Sequence, residues 1–157
     1  MSKPTVYVET TVIGHIAGRL QSDIVVAARQ YASARWWESK DRFVPFVSQL
    51  VVEECSAGDP SAAAERLTLI QGIPLLEIVD ATDQLARAII REHGVPETEP
   101  RDASHIAIAA IAGVQYLLIW NFRHIGNPST RKLIEEICRA AGYSLPVICS
   151  PDELLEI

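Results

Sequence analysis

The sequence predicts a three-layer α/β/α domain with a central parallel β-sheet, on three observations. Short apolar runs alternate with longer helical segments along the whole chain. The runs are apolar throughout rather than alternating, as strands covered on both faces of a parallel sheet are. No repeat, low-complexity tract or linker interrupts the alternation, so residues 1–157 read as one domain.

The first run, Thr5–Val8, is short and β-branched, and is expected at the centre of the sheet. The runs 43–47, 73–78, 116–120 and 146–149 read the same way. Between them lie six helical segments. Segment 22–38 is long and opens with Ser22 as its cap. Segment 49–57 ends before Gly58, and 61–70 follows Pro60. Segment 82–93 starts on a cap-like Thr82 and stops at Gly94. Segment 102–112 is rich in Ala and Ile and stops at Gly113. Segment 129–141 carries Ser129 as a cap and stops at Gly142. In the pair Trp36–Trp37, side chains about 100° apart on a helix leave room for only one in the core.

Composition narrows the function. With 157 residues, 48% hydrophobic and 22% charged, the chain is neither disordered nor in need of disulfides to fold. Net charge is −6, which excludes a wholly basic nucleic-acid binder but not a local groove. The basic residues are skewed, eleven Arg to three Lys, and Arg is the better bidentate phosphate ligand. Cys55, Cys138 and Cys149 are widely spaced and odd in number, so neither a disulfide framework nor a zinc pair is expected. Without a signal-peptide core or a run of about 18 apolar residues, a cytoplasmic protein with no membrane partner is expected.

Ligands of open parallel sheets bind at the carboxyl ends of the strands. Glu9 follows the first strand directly. It reads either as an acid complementing a helix N-terminus or as a site carboxylate. In the pair Glu53–Glu54, helix phase puts Glu54 on the face of Leu50 and Val51, whereas Glu53 joins Gln49 and Ser56 toward solvent. Asp102 opens the most apolar helix and reads as a cap or a site acid. His105 shares its side, where a packed, hydrogen-bonded histidine is commoner than a ligand. Asn121 follows the run YLLIW, where Asn is ordinarily a turn residue. Gathered on one edge, such carboxylates repel unless a divalent cation intervenes, and hard oxygen ligands suit Mg²⁺ or Mn²⁺.

The order of these features resembles the PIN domain, most closely the bacterial PIN proteins grouped with VapC-type toxins of toxin–antitoxin pairs. The resemblance rests on a hydrophobic strand with Glu9-Thr10-Thr11, then S-x-L-V-x-E-E, then D-A-x-H at a helix start, then L-L-x-W-N after a strand. It extends over nearly the whole chain. The family implies an α/β/α fold and a metal-dependent ribonuclease acting on RNA. Its acids fall on Glu9, Glu54 and Asp102, which would bind Mg²⁺ or Mn²⁺, and its fourth position on Asn121. Thr10 or Thr11 matches a small hydroxyl residue after the first acid. Two departures stand out: Glu9 replaces the usual Asp, and Asn121 is neutral, so one bound ion is expected rather than two. The resemblance also implies an antitoxin partner and a homodimer, for which the apolar surface of segment 22–37 is a candidate.

Phosphodiester hydrolysis needs an activated water and positive charge near the phosphate, and a bound divalent ion supplies both. Arg101, Arg123 and His124 flank the same edge and are candidate phosphate contacts, or plain surface charges. The rival α/β functions lack their marks. For a phosphotransfer receiver, Glu9 at the first strand end lacks an acidic neighbour and Lys132 falls inside a predicted helix; no G-x-G-x-x-G follows the first strand, and no G-K-[ST] occurs. A degenerate PIN domain that binds RNA or a protein without cutting is the remaining alternative.

Overall fold

Val6, Tyr7 and Val8 are shielded from solvent on both faces, so β1 (Thr5–Val8) takes the central place in the sheet. The computed structural model describes residues 2–157. Four further strands follow, β2 (Val44–Ser48), β3 (Leu75–Leu76), β4 (Tyr116–Leu118) and β5 (Val147–Cys149). They form one five-stranded sheet of order β3-β2-β1-β4-β5, and every pairing is parallel. Tyr7 stands opposite Phe46 on one side and Leu117 on the other. Among the described residues, eight α-helices cover the sheet: α1 (Thr10–Ala17), α2 (Ile24–Glu38), α3 (Gln49–Cys55), α4 (Pro60–Ile70), α5 (Asp80–Arg91), α6 (Pro100–Ala112), α7 (Arg131–Ala140) and α8 (Pro151–Leu155). The fold is therefore three-layered α/β/α, with the expected parallel sheet.

The chain runs outward from β1 through β2 to β3, then returns to lay β4 against the other side of β1. This reversal makes the gap between the carboxyl ends of β1 and β4 the topological switch point. Glu9 leaves β1 on one side of that gap. On the other, Trp120 and Asn121 follow the end of β4.

Several predicted boundaries shift for local reasons. Asp23, not Ser22, caps α2, its carboxylate accepting from Val25 N and Val26 N at 3.0 Å each. Thr82 lies inside α5 and accepts the Val79 N–H at 3.1 Å. Ser129 donates to Asn127 instead of capping α7, which begins at Arg131. The run 73–78 yields only the two-residue edge strand β3, because only β2 is available to pair with it. The residue that turns left-handed after α5 is His93, with φ 65°, rather than Gly94. Gly94 is needed for close approach instead, since a Cβ there would meet an Ile134 methylene at 2.9 Å. Gly113 does end α6 in the expected left-handed conformation, with φ 71°.

Helix α6 is buried from Ala103 through Ala110 apart from Ser104, so it is a core helix rather than an amphipathic one. Of the two tryptophans, Trp36 is in the core and Trp37 only packs against it. The three cysteines are buried free thiols, and burial pushes them up to about 11 for Cys55 and Cys138 and about 12 for Cys149. Among the described residues, no helix is long and apolar enough to cross a membrane.

Candidate functional site

At the end of β1, the Glu9 N–H still bonds to Leu118 O of β4 at 3.0 Å, which fixes the residue at the switch point. Its side chain makes no helix-capping bond and is only 3% exposed. Burial raises its pKa, an effect opposed by His105 and by two hydrogen bonds from Thr11 and reinforced by Glu54. The Thr11 hydroxyl donates to Glu9 Oε1. The same hydroxyl accepts the Trp120 N–H at 3.0 Å, tying α1 to the end of β4.

Glu54 reaches the site by a different route. Ser48, the last residue of β2, caps α3 by accepting Val51 N–H at 3.3 Å. The seven-residue helix then carries Glu54 inward and leaves Glu53 exposed, as helix phase predicts. Glu54 Oε1 accepts the Thr10 hydroxyl at 2.6 Å and faces His105 Nε2 at 2.6 Å. Burial pushes its carboxyl up, but the hydrogen bond and charge of His105, the Thr10 hydroxyl and the Arg101 charge together hold it below the ordinary value.

Asp102 is not a cap. Its helix starts two residues earlier, at Pro100, so Asp102 lies in the first turn and its side chain meets Asn121. Burial raises its pKa and Glu99 adds to the rise, while the Asn121 hydrogen bond and the charges of His105 and His124 oppose it. Asn121 differs from the expectation for a fourth site position. Its Oδ1 accepts the His124 N–H at 3.1 Å in a turn, and its side chain lies close enough to Asp102 to oppose the rise in that acid's pKa. With Oδ1 so engaged, Asn121 takes the ordinary role of Asn in a turn after a strand, beside Asp102.

The predicted acids thus line one edge of the sheet, and His105 is a neighbour of all three. Among the described residues they do not form a trio whose donor atoms already meet. The trio that does, within 4.8 Å, is Glu99, Asp102 and His124, with His124 Nε2 3.9 Å from Glu99 Oε1. Only Asp102 belongs to both sets. Glu99 carried no signal in the sequence beyond being an acid next to Pro100.

The flanking residues also sort out differently than expected. The Thr10 and Thr11 hydroxyls are engaged with Glu54 and Glu9, so they position carboxylates and are not free substrate contacts. Arg101 is exposed and close enough to Glu54 to lower its pKa. Exposed Arg123 and half-buried His124 line a cavity of about 380 Å³ beside the acidic edge, together with Arg91, His93 and Asn127. Behind the edge, the Tyr7 hydroxyl bridges Ser48 Oγ at 2.7 Å and His105 Nδ1 at 2.8 Å. Burial holds that hydroxyl far above its ordinary pKa, so it stays protonated. His105 is the packed, hydrogen-bonded histidine the sequence favours, although its partners were not legible there. No family model, curated protein or solved structure matches this chain.

Proposed function

We propose that this chain is a divalent-metal-dependent endoribonuclease of the PIN-domain kind, serving as the toxin of a toxin–antitoxin pair. The observation that carries the reading is the carboxylate edge. Glu9, Glu54 and Asp102 come from three separate elements, and the first two are held by neutral hydroxyl donors, Thr11 and Thr10 respectively. Desolvation raises the carboxyls of buried Glu9 and half-buried Asp102 despite the histidines near them, the mark of acids suited to a further positive charge. The donor set is carboxylate oxygen with imidazole nearby, which suits Mg²⁺ or Mn²⁺. Glu9, Glu54 and Asp102 would hold the ion, and His124 beside Asp102 favours Mn²⁺ as the more nitrogen-tolerant of the two. Such an ion supplies Lewis acidity toward water and phosphate. Arg101, Arg123 and His124 are then the side chains suited to binding RNA phosphates.

Cytoplasmic location, an antitoxin partner and a homodimer belong to the same reading. The exposed apolar side chains Ile24, Val25 and Tyr31 of α2 support a helical contact with another chain. The alternative, a degenerate PIN domain that binds without cutting, is favoured by one observation: the side-chain oxygen of Asn121 is taken up by the His124 N–H in a turn.

The test is cleavage of single-stranded and structured RNA with Mn²⁺, with Mg²⁺ and with excess EDTA. Cleavage is expected with either ion, absent in EDTA, and absent in Asp102→Asn, whose fold should be intact. RNA binding without cleavage at any Mn²⁺ concentration selects the alternative.

A further inference from the structure

His105 is fully buried, on a helix whose other buried residues are Ala and Ile. A polar ring in such a place must satisfy both nitrogens or destabilise the helix. Both are satisfied, Nε2 by Glu54 Oε1 at 2.6 Å and Nδ1 by the Tyr7 hydroxyl at 2.8 Å. Tyr7 is equally out of place as the polar side chain among the buried residues of the central strand. Its hydroxyl continues to Ser48 Oγ, which caps the very helix that carries Glu54. The bonds therefore close a circuit. It runs from Ser48 through α3 to Glu54, across to His105, to Tyr7 and back to Ser48, binding β1, β2, α3 and α6 into one unit.

The circuit has a directional consequence. Glu54 Oε1 receives two donors, Thr10 and His105, while Oε2 receives no hydrogen bond from the described residues. We propose that His105 is the positioning residue of the acidic edge: its Nε2–H, with the ring braced by Tyr7 and Ser48, fixes Glu54 Oε1 so that Oε2 is the oxygen presented to the cation. This rests on the metal reading of the edge. In either charge state of the ring the Nε2 proton faces a carboxylate, and the Tyr7 hydroxyl donates or accepts to match. Partners of this kind behind a metal ligand typically contribute about 10–100-fold in affinity.

The experiment has two arms on the full chain. Long-range proton–nitrogen NMR of the metal-free protein should find the His105 Nε2 protonated, and a bare Nε2 overturns the proposal. Calorimetric Mn²⁺ titration should give His105→Leu about 10–100-fold weaker binding than wild type. His105→Gln, whose amide can still donate to Glu54, should recover most of the loss, and Tyr7→Phe should fall between the two. His105→Leu binding as tightly as wild type, or His105→Gln as weakly as His105→Leu, overturns the role. Should His105→Leu not fold, the NMR result and Tyr7→Phe decide, with wild-type affinity in Tyr7→Phe counting against the circuit. A wild-type protein that binds no Mn²⁺ is a different failure, that of the metal reading itself.

Discussion

Glu9→Gln is expected to make the metal-free protein more stable. The substitution keeps the shape and exchanges a carboxylate for a neutral amide whose oxygen can still accept from Thr11. In wild type that carboxylate is 3% exposed and has no cation bonded to it. Burying an ionised carboxylate costs several kcal/mol even after relaxation, and a hydrogen bond to a charged group returns about 1.5–3 kcal/mol. The difference predicts a gain of about 1–3 kcal/mol for the Gln variant. For a domain of this size 1 kcal/mol moves Tm by about 2–4 °C, so a rise of about 2–12 °C is expected.

The pH dependence follows from the direction of the shift. Because burial raises the pKa of Glu9 in the folded state, the native protein holds this proton more tightly than the unfolded chain. The wild-type penalty is therefore absent below the unfolded carboxylate pKa and grows as pH rises through the folded value. The two proteins should melt together near pH 4 and diverge toward pH 8 when scanned by calorimetry in EDTA. Saturating Mn²⁺ should raise the wild-type Tm and leave the variant nearly unmoved. A Gln variant that melts below wild type at pH 8 in EDTA, or a gap independent of pH, would refute the reasoning, because Glu9 would then already be compensated.

Three further outcomes are expected. Asn121→Asp adds a second carboxylate beside Asp102, so in EDTA it should lose about 1–3 kcal/mol at pH 7, less at pH 5, while binding Mn²⁺ more tightly in calorimetry. Glu53→Gln, on the exposed side of α3, should leave melting within about 0.5 kcal/mol of wild type and RNA cleavage unchanged. Trp36→Ala should cost about 3–5 kcal/mol in urea unfolding, and Trp37→Ala clearly less, since only Trp36 is fully buried.

Much of the fold was legible because its signals are local. β1 has the predicted boundaries because three residues buried on both faces have no alternation to misread. Caps were less legible: Ser22-Asp23 offers two good capping residues in succession, and only the backbone angle decides which one bonds. Helix α8 went unpredicted although Ser150 and Glu153 form a capping box that the sequence displays. At five residues it lies below the length at which apolar periodicity speaks.

At the site, what was legible depended on how far apart the partners are in the chain. The choice of Glu54 over Glu53 follows from a rotation of about 100° per residue, and no tertiary knowledge is needed. Thr10 and Thr11 illustrate the limit. Adjacent on α1, they diverge by that same angle, one crossing to Glu54 and the other folding back to Glu9. Tyr7 and His105 lie 98 residues apart, and no local spacing brings them together. Tyr7 alone is an ordinary aromatic in a strand, and His105 alone reads only as a packed histidine in a helix. What links them is a polar atom where leaving it unpaired costs about 1–3 kcal/mol. A buried hydroxyl in the central strand and a buried imidazole in the core helix each require a partner, and the packing of α6 on β1 supplies each with the other.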